Sequence, residues 1–111
     1  MKQVLVIGST VTDVIIHVDH LPKTSEDIHV IGQTMSLGGC AYNVSDMIRH
    51  FQVPYILFSP IGKGTYGHFV REALSRKGVK SPIPTPEQEN GCCYCFVEAS
   101  GERTFVCHRG A

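Results

Sequence analysis

Gly38-Gly39-Cys40-Ala41-Tyr42-Asn43 is the stretch at which the period of the chain changes. Before it, apolar residues run continuously or alternate. After it, Ala41, Val44, Met47, Ile48 and Phe51 recur at helical spacing, which predicts one apolar stripe on a helix starting near Gly39. Two glycines directly before a helix permit close approach of a ligand to the backbone, and the first turn leaves N–H groups free. Asn43, one turn in, carries an amide that both donates to and accepts from hydroxyls. Taken alone, such a glycine pair is more often only a tight turn.

Toward the N-terminus, Lys2 to Ile7 is an apolar run rich in valine and isoleucine, as in a buried parallel strand, and Gly8-Ser9 ends it. Val11 to Val18 reads as a second strand. Asp19 to Asp27, with Pro22, is turn chemistry, and Ile28 to Met35 is extended again, interrupted at Gly32. Toward the C-terminus, Arg49 and His50 suit the last turn of the first helix, and Tyr55 to Ile61 reads as a strand. Thr65 is placed to cap a second helix whose stripe is Tyr66, Phe69, Val70, Ala73 and Leu74, with a left-handed end at Lys77-Gly78. Pro82, Pro84 and Pro86 make residues 81–90 a connector. Gly91 to Glu98 and Arg103 to His108 form a hairpin. With Ser100-Gly101 at its tip, Tyr94 faces Cys107 and Cys95 faces Val106. The sum is an α/β arrangement.

A chain of 111 residues with 42% hydrophobic content supports one compact domain. Ten basic and ten acidic residues give zero formal charge, which argues against nucleic acid as a partner. The apolar start is too short for a signal segment, and no run reaches the ~18 residues of a membrane helix, so a cytoplasmic protein is expected. Five cysteines, three of them within Cys92-Cys93-Tyr94-Cys95, do not resemble a secreted disulfide framework and read as reduced thiols. Cys92-x-x-Cys95 has zinc half-site spacing, but a strand puts the two on opposite faces and no second pair completes the site, so no metal is expected.

Taken together, the motifs resemble the ribokinase (PfkB) family of carbohydrate kinases. The first strand ending at Gly8-Ser9, then Asp13, Gly38-Gly39-x-x-x-Asn43, Gly62-x-x-x-x-Gly67, Gly101-x-Arg103 and Gly110-Ala111 follow that family's order. The resemblance covers nearly the whole chain, but only about the first third of a large single-domain family member. It implies the N-terminal part of a ribokinase-like fold, a parallel sheet with flanking helices, plus a small β lid from segments near 12–18, 28–35 and 91–97. It also implies that Asp13, Gly38, Gly39 and Asn43 bind the acceptor. A carboxylate accepts from vicinal hydroxyls, while the amide and backbone orient the rest.

The resemblance further implies ATP-dependent phosphorylation of a sugar or nucleoside hydroxyl with Mg²⁺ in a full-length protein, and a homodimer formed through lid strands. The family's Gly-Ala-Gly-Asp segment, which carries the catalytic base and steadies phosphates, is expected beyond Ala111. The 111 residues alone are therefore expected to be inactive and to hold no cofactor. Three positions depart from the usual pattern: Val11 stands where many members have Asn, Cys40 where ribokinase has Lys, and Gly64 where an acidic residue is common. Ribose is accordingly not singled out. The rival reading is a non-catalytic product that self-associates through its lid strands. A third and weaker reading is a small Rossmann-like nucleotide binder, although Gly8-Ser9-Thr10-Val11 has neither Gly-x-Gly-x-x-Gly nor a Walker lysine.

Overall fold

The computed structural model describes residues 3–110. Lys2, the expected start of the first strand, and Ala111, the end of the Gly110-Ala111 pair, lie outside them. In chain order the elements are β1 (Val4–Ile7), β2 (Val11–His17), β3 (Gly32–Gly38), α1 (Cys40–His50), β4 (Tyr55–Phe58), α2 (Gly64–Arg76), β5 (Cys92–Val97) and β6 (Arg103–His108). They make an α/β fold with two sheets. β1 and β4 pair in parallel, and β3-β2-β5-β6 form a four-stranded mixed sheet in which only β2 and β5 run parallel.

Val6 and Leu57 are register partners on one face of the β1–β4 pair. Ala41 and Tyr42 from α1, Val70 and Leu74 from α2, and Ile61 join them in the core. Both helices therefore cover the same face. On the other face Leu5, Ile7, Ile56 and Phe58 are exposed.

α1 buries a different stripe from the one its apolar residues suggest. Ala41, Tyr42 and Ser45 are buried and Ile48 packs against the core, whereas Val44, Met47 and Phe51 are 52%, 61% and 72% exposed. Tyr42 supplies the large core contact, and the Ser45 hydroxyl is satisfied by donating to Tyr42 O, so a polar residue sits inward at little cost. The second helix follows the expected stripe, with Val70 and Leu74 buried and Phe69 packed on the core. Its N-cap, however, is Lys63 without a side-chain capping bond, and Thr65 lies inside the first turn. Lys63 is held instead by the backbone: its N–H donates to Gln88 O, and its carbonyl accepts from Asn90 N–H.

Two strands end where their partners do. β3 is shifted to Gly32–Gly38 because pairing with β2 runs from His17–Gly32 to Val11–Gly38, leaving residues 28–31 with no strand beside them. β4 stops at Phe58, opposite Ile7, and Pro60 follows. The hairpin register differs by one residue from the expected one: Cys93 faces Cys107, Tyr94 faces Val106 and Cys95 faces Phe105. The loop has three residues, Ala99-Ser100-Gly101. Glu98 N–H donates to Glu102 O, Gly101 N–H donates to Glu98 O, and Gly101 takes φ 92°. Gly101 is thus the left-handed residue after a turn rather than part of a two-residue tip.

The expected connector 81–90 ends in a buried side chain with three hydrogen-bond partners. Asn90, 1% exposed, accepts from Gly62 N–H and donates to Thr10 O and Gly91 O. It ties the loop entering β2 to the loop leaving β4 and to the start of β5. A Cβ on Gly67 would overlap Gly62 O, and one on Gly62 would crowd the backbone of residues 88–90. The Gly62-x-x-x-x-Gly67 spacing is therefore a packing requirement of this junction.

Replacing Asn90 with Ala leaves the buried Gly62 N–H unpaired, and urea unfolding is expected to show a loss of about 3 kcal/mol. Both helices end with a residue at positive φ, Gln52 (57°) after α1 and Gly78 (71°) after α2, closed by Val53 N–H to Ile48 O and Val79 N–H to Leu74 O. Because Gln52 bears a Cβ in this left-handed conformation, Gln52→Gly is expected to raise unfolding stability by about 0.5–1 kcal/mol.

Candidate functional site

Asp13 stands in the middle of β2, on the face opposite the Thr12 side chain that is buried toward α2. Its strand neighbours in register are Ser36 on β3 and Cys93 on β5. Its carboxylate lies against Gly38, where any Cβ would overlap it. Among the described residues it makes no side-chain hydrogen bond, and burial pushes its pKa above the ordinary carboxylate range. A half-buried carboxylate without donors is a group prepared to accept hydroxyls.

Gly39 is the N-cap of α1, at φ 95° and ψ 149°. A Cβ there would stand 2.5 Å from Ser9 O, so glycine is required both by the backbone angle and by the approach of the β1–β2 loop. Its carbonyl accepts the Asn43 N–H, and Ser9 O accepts the Ala41 N–H. The Cys40 and Tyr42 N–H groups find no backbone acceptor among the described residues. Asn43 itself is exposed on the first turn. The structure thus joins Asp13, Gly38 and Gly39 directly and sets Asn43 one helical turn from them.

The expected residues leave two side-chain clusters out. Arg71 donates to Ile61 O, Gly62 O and Thr85 Oγ1, and so fixes the loop after β4. It also lines a groove of about 970 Å³ between α2 and residues 78–85; none of the four candidate residues lines that groove. The second cluster is Cys93 and Cys107, whose sulfurs are 2.8 Å apart without a bond. Burial foremost, then the Cys107 thiol and the Asp13 carboxylate, push the Cys93 pKa up to about 12. Only the correct hairpin register reveals this pair, and a sequence reading with a two-residue tip misses it.

Among the described residues, no three His, Cys, Asp or Glu side chains come together as metal ligands. The β1–β2 loop, where a phosphate cradle would be sought, is packed onto α1: a Cβ on Gly8 would lie 3.1 Å from the Ala41 Cβ. No helix among them is long and apolar enough to cross a membrane.

The sequence profile of the pfkB family carbohydrate kinases matches residues 1–111. The chain belongs to that family. This pfkB-family chain is 33% identical over 109 residues to the Escherichia coli protein named uncharacterized sugar kinase YegV, covering 98% of this chain and 34% of that one. It is 26% identical over 112 residues to a nucleoside kinase of Thermoplasma acidophilum, covering 38% of that protein. It superposes on a ribokinase from Cryptococcus neoformans var. grubii serotype A, solved in complex with ADP, with a TM-score of 0.80 and 27% identity over 36% of that chain. The chain therefore spans about a third of the length of the curated relatives it matches.

In the loop between β2 and β3, His20 bonds both Asp19 (3.0 Å) and Glu26 (3.0 Å), and these contacts raise its pKa. Glu26 is lowered, first by the Lys23 N–H and then by His20. Since the folded His20 value is the raised one, its contribution to holding the loop is complete below the ordinary value of about 6.5 and fades as pH rises through the folded value. An NMR titration is expected to place His20 above the ordinary histidine value of about 6.5, and Glu26→Gln is expected to bring it down.

Proposed function

We propose that this pfkB-family chain supplies the acceptor side of an ATP-dependent sugar or nucleoside kinase, with Asp13, Gly38, Gly39 and Asn43 as the acceptor site. The observation that carries this is the half-buried Asp13 carboxylate, without donors of its own, seated on a glycine that leads into the start of α1. Vicinal hydroxyls donate to Asp13, the free N–H groups of the α1 first turn meet acceptor oxygens, and Asn43 reads a further hydroxyl from the exposed side. The kinase names borne by relatives of 33% and 26% identity support the reaction class. The ADP in the ribokinase complex supports a nucleotide donor.

The catalytic base, the nucleotide and its Mg²⁺ are assigned to sequence outside these 111 residues, because the β1–β2 loop here offers no phosphate cradle. The exposed apolar face of β1 and β4 supports a larger protein in which further structure covers Leu5, Ile7, Ile56 and Phe58. The four-stranded sheet β3-β2-β5-β6 acts as the lid in this reading, sheltering the transferred phosphoryl from water. Its edge strand β6 is exposed throughout and carries Phe105 and Val106, which supports a homodimer through the lid. Five free cysteines and the lack of a membrane-crossing helix among the described residues agree with a cytoplasmic setting.

In the full-length enzyme, Asp13→Asn and Asn43→Ala are expected to raise the acceptor KM at least about tenfold, and Asp13→Asn also to lower kcat, while the nucleotide KM stays within about twofold. Steady-state kinetics with sugar and nucleoside acceptors test this. An unchanged acceptor KM in both variants rejects the site.

A further inference from the structure

Cys93 and Cys107 occupy one cross-strand position of the β5–β6 hairpin, on the Asp13 side of the sheet. Glu98 N–H bonds Glu102 O, so hydrogen-bonded pairs fall at 98/102 and every second position from there. Counting down the ladder makes Cys93–Cys107 a non-hydrogen-bonded pair, the kind whose Cα atoms approach to about 4.5 Å, inside the span a disulfide requires. The sulfurs already face one another at 2.8 Å. Cys107 is exposed and Cys93 half-buried, so a soluble oxidant reaches the pair from the β6 side. Cys92 points to the opposite face, and Cys95, which shares the Cys93 face, is buried and pairs across the hairpin with Phe105 rather than with a cysteine.

We propose that Cys93 and Cys107 form a reversible disulfide with each other by exchange with a low-molecular-weight disulfide such as oxidised glutathione, and that this bond alters acceptor binding at Asp13. The second half of the proposal rests on the acceptor site described above. Cys107 loses its proton to solvent and attacks one sulfur of glutathione disulfide; that S–S bond breaks, and one glutathione leaves and takes up a proton. Cys93 then gives up its proton and attacks the Cys107 sulfur of the mixed disulfide, releasing the second glutathione. Two protein thiols are oxidised and one glutathione disulfide is reduced to two thiols. The product pins β6 to β5 one strand away from Asp13 and removes the thiol that adjoins its carboxylate. A lid hairpin fixed in this way no longer adjusts to the acceptor.

The test uses the intact protein, equilibrated in reduced and oxidised glutathione, alkylated, and digested with trypsin without reduction. Cleavage after Lys80, Arg103 and Arg109 places Cys93 in peptide 81–103 and Cys107 in peptide 104–109. The expected result is a cross-link between these two peptides that dithiothreitol reverses and that is lost in Cys107→Ser and in Cys93→Ser. Oxidation is expected to raise the acceptor KM at least about threefold in the wild type and to leave Cys107→Ser unchanged. Stable glutathione adducts, a link through another cysteine, or no link overturn the disulfide. A link with unchanged acceptor KM overturns its effect on binding. The peptide map does not depend on the acceptor site, so a failure of the Asp13 assignment appears separately, as an Asp13→Asn variant with wild-type acceptor KM that still forms the link.

Discussion

Three loops meet on one amide. Asn90 holds the backbone entering β2, the backbone leaving β4 and the start of β5 with a single buried side chain. Because β1–β4 and β3-β2-β5-β6 share no strand, this junction, together with the packing of α2 against β2, fixes how the two sheets sit. Burying an amide is favourable only when its donors and acceptor are matched, and here they are. The glycines at 62 and 67 exist to let the chain pass that close.

The proposed acceptor site depends on that arrangement at one remove. β2 carries Asp13, and α1 starts where β3 ends at Gly38, so the loop held by Thr10 and Asn90 decides where the carboxylate meets the helix. The contact between Asp13 and Gly38 is steric and therefore selective, since any side chain at Gly38 would overlap the carboxylate. Burial raises the Asp13 pKa, and in the proposed site the cost of desolvating the carboxylate is offset by ligand hydroxyls that donate to it.

The sequence made the α/β class, the glycine pair before α1 and the second helix readable, because each rests on local periodicity or on a glycine with a local reason. It misled wherever the reason was distant. Val44, Met47 and Phe51 look like a core stripe, yet α1 turns Tyr42 and Ser45 inward because β1 and β4 lie on that side. Asn90 reads as a turn residue after three prolines, since asparagine is common in turns and its three partners come from three different segments. The hairpin register turned on whether Gly101 belongs to a two-residue tip or follows a turn. A one-residue slip there exchanges the face of every side chain on β6.

The most direct measurement of the central claim is carbon-13 NMR of the aspartate side-chain carboxyls in the full-length protein, with Asp13 assigned by its loss in Asp13→Asn, during titration with sugars and nucleosides. The account predicts that the Asp13 carboxyl resonance shifts and saturates with a true acceptor, while the exposed Asp19 and Asp27 resonances stay in place. An acceptor that binds and turns over without moving the Asp13 resonance would contradict it.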